Sequence, residues 1–450
     1  MVTGQLGLLL TQTLGDGPSL VQALHIPLRL GPLYVGYIGV GRSSKAHALA
    51  QMKLRRTTAQ SSAKTYPSAW VLCLGFAVTG IAVTVLGPIL PAVMQRWQLN
   101  DSQAGLLLSS QFLGCFAGSV LVTGRLRRAL LLGASALPVG WITFALALTS
   151  ERGLRFAPAA LLIAGFGAGH MMSATNLIAG RAYKERRGSG LSLFNAFWSL
   201  GAILSSLAIG NLVLRFSLVG VLLGFAGCSL GVLAGFLLQI LRSRMACGAL
   251  DGYGSEESPL IGNEPGGMPF NKWLLFAAMF FLYGGVEASV NAWITTYTVR
   301  HSHSSVWLGE ASVGAFWIAI TAGRAVAAGV LRFVDERRMQ LLCVTGAILS
   351  LGMVIAAHSG GQIVGAALLT GLFLAPIFPS QCALLMARGA RPGQVGWALA
   401  ITGLGATILP SATGFISTRM ASLRAGLAMS MVAALVLLTL SILMPRTARR

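Results

Sequence analysis

Twelve apolar runs, each near the length of a bilayer crossing, constrain this chain more than any other feature. Read from the sequence, they cover 69–95, 102–123, 129–149, 156–180, 190–213, 216–241, 271–298, 308–331, 339–358, 362–387, 394–417 and 423–444. Hydrocarbon cannot solvate a backbone N–H or C=O, so such runs must close their own hydrogen bonds as helices. Composition agrees: 55% of the residues are hydrophobic and 10% charged, where a soluble domain carries about a quarter charged residues. The 56 glycines suit close helix packing in lipid. Gly87, Pro88 and Pro91 predict a bend in the first run, and Pro376 and Pro379 a kink in the tenth.

A net charge of +21 raises the question of nucleic acid. The basic residues fall in short clusters between apolar runs, with no aromatic–basic interleaving and no zinc-type Cys/His spacing, which excludes that class. They instead set orientation. Eighteen Lys and Arg residues, from Arg125 to Arg450, lie in the even-numbered loops and the C-terminal tail; seven (Arg96, Arg152, Arg155, Arg215, Arg300, Arg419 and Arg424) lie on the other side. Both termini are therefore expected in the cytoplasm, with the protein in a plasma or inner membrane. The six cysteines form no CxxC, five lie inside apolar runs, and they read as small packing residues.

The predicted organisation is a cytoplasmic tail (1–66), a six-helix bundle (67–243), a flexible linker (244–270), a second six-helix bundle (271–444) and a short tail (445–450). The first tail is expected to be disordered, with Met52, which begins "MKLRRTTAQSSAK", as the natural start. The linker is rich in Gly, Pro and Ser and carries four of the twelve acids. Its Glu256 and Leu260-Ile261 fit an acidic dileucine pattern, although a solvated linker accounts for them as well.

The two bundles echo one another. "QFLGCFAGSVLVTGRL" from Gln111 lies over "FWIAITAGRAVAAGVL" from Phe316, so that Gly118 meets Gly323 and Gly124 meets Gly329. "LLIAGFGAG" from Leu161 lies over "ALLTGLFLA" from Ala367, and the "LGA" at Leu200 over that at Leu404. The offset stays near 205 residues, which implies duplication. The expected fold class is an all-α integral membrane protein, with twelve transmembrane helices in two pseudo-symmetric six-helix bundles.

Six plus six helices, a polar central linker and basic even-numbered loops resemble the major facilitator superfamily over about residues 67–445. Within it, "YGGVEASVNAWITTY" resembles the fucose-permease-like branch of sugar:proton symporters through Tyr283, Gly285, Glu287, Trp293, Thr296 and Tyr297. "FWIAITAGR" (Phe316 to Arg324) and "AGFGAGHMMSATN" (Ala164 to Asn176) are similar to that branch too. The resemblance implies a secondary transporter moving a small polar solute, most simply a sugar, by alternating access with proton symport. It also implies carboxylates in the first and fourth helices, where Gly87 and His170 stand instead, and an acid in the loop between helices two and three, where "GRLRRAL" has none.

Glu287 is the acid that needs a reason, because a charge at bilayer depth costs several kcal/mol unless it faces a polar interior. It lies ~22 Å of helix from Lys272, near the midplane, where transporters of this kind bind solute. Tyr283, Glu287 and Asn291 share a stripe of one helix. Glu287 and His170 are the proton-coupling candidates. Tyr283, Asn291, Asn176, Asn195, Trp198, Trp293 and Trp317 are the substrate-contact candidates, since indoles stack on sugar faces and donate an N–H. For each of these, packing within a helix bundle is the competing reading. Arg324 lies ~12 Å from the cytoplasmic end, about 10 Å short of Glu287 in depth, and is expected to serve as a gate or to snorkel. No P-loop, metal or nucleophile arrangement is present, so no cofactor, ATP coupling or enzyme activity is expected. The expected partners are a small-molecule substrate, protons and membrane lipid around a monomer. A drug or metabolite exporter and a non-transporting membrane sensor are the alternatives on the same fold.

Overall fold

The computed structural model describes residues 68–122, 126–182, 187–246, 267–330 and 333–444. The expected tails (1–66, with Met52, and 445–450) and nearly all of the expected linker (244–270, with Glu256 and Leu260) lie outside the described residues. Every regular element described is helical. In chain order these are α1 (Ala69–Thr84), α2 (Leu86–Trp97), α3 (Asp101–Val120), α4 (Leu126–Ala147), a 3-10 turn (Glu151–Arg155), α5 (Ala157–Ala182) and α6 (Arg187–Ala246). Then follow α7 (Phe270–His301), α8 (Val306–Val330), α9 (Glu336–Ala356), α10 (Gly360–Leu374), α11 (Ile377–Ala387), α12 (Pro392–Arg419) and α13 (Leu423–Leu443).

All twelve predicted runs fall on helix. Nine described helices are long and apolar enough to cross a membrane, and α1 with α2 makes a tenth when the bent pair counts as one span. α3 falls outside that set; it carries Asp101, Ser102, Gln103, Ser109, Ser110 and Gln111. The predicted runs 190–213 and 216–241 are the two limbs of α6, broken at Ser217, where φ is 63° and ψ 159°.

Both expected bends are found, each for a backbone reason. α1 and α2 meet at 42°. Pro88 has no N–H to offer the Thr84 carbonyl, and Thr84 is the last residue of α1. α10 stops at Leu374 and α11 starts at Ile377, because Pro379 likewise leaves the Ala375 carbonyl without its helical donor.

The duplication is visible in the packing. α1 packs on α6 as α7 packs on α12, and α3 packs on α5 as α8 packs on α10. The contacts repeat down to single glycines. Gly80 sits against the Trp198 carbonyl and Gly201 against the Ala77 carbonyl; 204 residues on, Gly284 sits against the Thr402 carbonyl and Gly405 against the Phe281 carbonyl. A Cβ at any of the four would overlap backbone, so the close approach requires glycine. The halves meet along two seams, α3 with α12 and α6 with α8, which exchange under the repeat. α2 also packs on α7.

Candidate substrate and coupling site

Glu287 lies near the middle of the 32-residue α7, roughly 25 Å along the axis from Phe270. Its carboxylate is 3.6 Å from the Arg324 guanidinium of α8. This corrects the expectation that depth keeps the two apart. α7 and α8 run antiparallel, and every Cα–Cβ bond leans toward its own helix N-terminus. Glu287 therefore leans toward the Phe270 end and Arg324 toward the Val306 end, and two long side chains close the remaining gap. Arg324 thus belongs to the Glu287 site. Its side chain is 29% exposed and that of Glu287 17%, so the pair is neither dry nor fully hydrated.

One turn before Glu287, Tyr283 is 1% exposed, and its hydroxyl faces both the Glu287 carboxylate and the Arg324 guanidinium. One turn after, the Asn291 Oδ1 accepts a 2.8 Å bond from the Trp317 indole. The Trp317 ring meets Trp198 edge-on at 5.1 Å, which bridges the α6–α8 seam between the halves. The Trp198 N–H is buried and has no hydrogen-bond partner among the described residues. The structure therefore groups Tyr283, Glu287, Arg324 and the Asn291–Trp317–Trp198 chain around α7 and α8.

The other candidates are placed elsewhere. Trp293 is fully buried and gives its N–H to the Pro410 carbonyl of α12 at 2.9 Å, so its only donor is used in packing. His170, on α5, has its ring 4.4 Å from the Phe166 ring and its Nδ1 without a partner among the described residues, and no described hydrogen bond or ion pair joins it to Glu287. Asn176 is half-buried on α5, its Oδ1 without a hydrogen-bond partner among the described residues, and Asn195 is exposed on α6. Gly87, which stands where the resemblance implies a carboxylate, lies against the Asn291 carbonyl and Ala292 of α7. The α2–α7 approach leaves no space there for a Cβ, which accounts physically for the missing acid.

A second constellation escaped the sequence reading. At the end of the bundle where α7 finishes, here called distal, Asp101 ties the halves together. Its carboxylate takes Arg300 of α7 at 2.5 Å and the Ser417 hydroxyl of α12 at 2.5 Å. The Ser102 N–H donates to Thr418 at 2.8 Å, and Ser411 donates to the Gly105 carbonyl at 2.8 Å. Ser109 bonds both Ser411 and the Thr407 carbonyl. Gly414 lies against the Asp101 carbonyl, so the α3–α12 seam closes backbone to backbone here. Glu310, in the second turn of α8, is another acid the reading passed over, and it is only 3% exposed. Its signal was present: it is an acid inside the predicted run 308–331.

Among the described residues no group of His, Cys, Asp and Glu is arranged to hold a metal ion. The model of the Major Facilitator Superfamily matches residues 72–392. A solved structure described as the crystal structure of a D-xylose-proton symporter superposes with a TM-score of 0.64 at 14% identity, covering 82% of this chain and 96% of that one. No curated protein matches the sequence.

Proposed function

The chain belongs to the major facilitator superfamily, and from that premise we propose that it carries a small polar solute, a sugar, in symport with protons by alternating access. The observation that carries this reading is the Glu287–Arg324 pair with the buried Tyr283 hydroxyl facing it. While Glu287 is ionised it neutralises Arg324. When Glu287 takes a proton the guanidinium loses its counter-charge, and its N–H groups become available to an acceptor on the solute. Solute and proton would then bind together, which is what symport requires.

A sugar suits the remaining groups. Tyr283 and the Trp198 N–H offer donors, the Tyr283 oxygen also accepts, and a hydroxyl-rich solute satisfies both kinds. Trp198 and Trp317 supply aromatic surface at the meeting of the halves. The distal Asp101 network suits a carrier closed at that end, and the charge asymmetry of the loops makes that the outer face, with both termini cytoplasmic. His170 remains a candidate for substrate contact or shared protonation, with Asn176 and Asn195 as further contacts.

The test uses purified protein in proteoliposomes, with D-xylose, the solute named for the structural relative, and L-fucose as first probes. Glu287→Gln keeps the side chain's size but cannot ionise. It should abolish pH-driven accumulation and preserve exchange between equal pools, because the loaded carrier can still rock. A Gln variant that still accumulates solute under a pH gradient overturns the coupling role.

A further inference from the structure

The distal end holds a cavity of about 490 Å³ that the transport reading does not use. It is lined from both halves: Leu99 to Asp101 on one side, the end of α7 and the α12–α13 connection on the other. A cavity of this size falls in the range that takes small ligands. The charged and titratable lining groups are Asp101, Tyr297, Arg300, His301 and Arg424.

Their charges do not balance. Asp101 is the only carboxylate of the set, and both of its oxygens are engaged, one by Arg300 and one by Ser417. Arg424 has no hydrogen bond or ion pair among the described residues. It stands in the first turn of α13, which contains no acid and where the helix's own N–H groups are also positive. His301 is fixed by stacking on Tyr297, at 4.8 Å with an 11° interplanar angle, and makes no described hydrogen bond. A concave space with a guanidinium that has no carboxylate partner among the described residues, an imidazole and no uncommitted carboxylate is complementary to an anion.

We propose that this cavity is a binding site for an oxyanion, a phosphate or carboxylate group held by Arg424 with His301 and the Ser422 hydroxyl, whose hydrogen is not committed to another described residue. Because its walls come from both halves, the site is complete only while the distal end is closed. An anion bound there favours the closed state by its differential affinity and holds back opening on that side. The proposal needs neither a sugar substrate nor proton coupling, so it stands or falls apart from the transport reading.

The probe is inorganic phosphate, titrated against the thermal unfolding midpoint of the full chain in zwitterionic nanodiscs. Chloride of the same cation holds ionic strength constant. Wild type should show a saturable rise of the midpoint. Arg424→Gln should weaken phosphate about tenfold or more, the size of one lost charge-assisted hydrogen bond. Arg424→Lys, which keeps the charge but loses the fork, should weaken it by a smaller factor and serves if the Gln variant does not fold. Arg215→Gln, an exposed cation at the break in α6 and outside the cavity, should leave it unchanged. Loss of the phosphate response in nanodiscs containing phosphatidylglycerol assigns the site to a lipid headgroup; an unchanged response assigns it to a soluble anion. A response that chloride reproduces, or that Arg424→Gln and Arg215→Gln alter equally, overturns the site.

Discussion

Removing one member of the Glu287–Arg324 pair should cost about as much as removing both. At 3.6 Å, two unit charges attract by about 4.6 kcal/mol at an effective dielectric constant of about 20. That gross figure is reduced by the desolvation of two groups that are each largely buried, and by the water that still reaches them. A net coupling of about 2 kcal/mol is the expected remainder. Glu287→Gln strands the Arg324 guanidinium beside the Tyr283 hydroxyl, and Arg324→Gln strands the Glu287 carboxylate. Each single change should therefore destabilise by about 2 kcal/mol, and the double change by about the same amount and not by the sum. The assay is a double-mutant cycle on the reversible unfolding of purified protein in mixed micelles, read from the transition midpoints at constant slope. Single-variant costs that add to the double within about 0.5 kcal/mol would refute the pairing and return Arg324 to a role near the helix end.

Two further outcomes follow from the geometry. Asp101→Asn removes the charge that holds both Arg300 and Ser417, and should shift the distal end toward open by roughly five- to thirtyfold, equivalent to about 1–2 kcal/mol. Spin labels at Gln95 and Met420, exposed distal positions on the two halves, should then report a longer or bimodal distance, and an unchanged distribution counts against a latch. Asn291→Ala takes the acceptor from the buried Trp317 N–H and should destabilise by about 1–2 kcal/mol. Its near-ultraviolet circular dichroism should lose the signal that Trp317→Phe also removes, and an intact signal would mean that the two indoles are held without Asn291.

The fold was legible because lipid leaves the chain few choices. A run of twenty apolar residues must be helical, and Pro88 and Pro379 mark breaks by withholding an N–H from a named carbonyl. Glycine spacing carried the duplication, since an approach such as Gly80 to Trp198 admits no side chain in either copy. The charged pair was half legible. Glu287 stood out by cost, but counting residues along two helices treats side chains as points at their Cα, and the opposed lean of Glu287 and Arg324 is what a helix ruler omits. Asp101 was hidden for a different reason. It follows Asn100, which closes a capping box with Gln103, so an acid there reads as an ordinary helix start favoured by the dipole. Only the docking of α12 and the end of α7 turns it into a tie between halves.

The repeat also separates what duplication preserved from what it did not. At offsets of 204 and 205, Glu287 maps onto Val83 and Arg324 onto Ser119, so the backbone contacts are shared while the charges belong to one half. An acid in the N-terminal copy as well would place two carboxylates in one low-dielectric interior, where each raises the cost of ionising the other. Gly87 shows that space forbids such an acid on α2 in any case, because α7 lies against it. The N-terminal half instead presents Trp198 to Trp317 across the seam. The ion pair of the C-terminal half therefore stands near an aromatic wall that both halves build, with the Asn291–Trp317 hydrogen bond joining α7 to that wall.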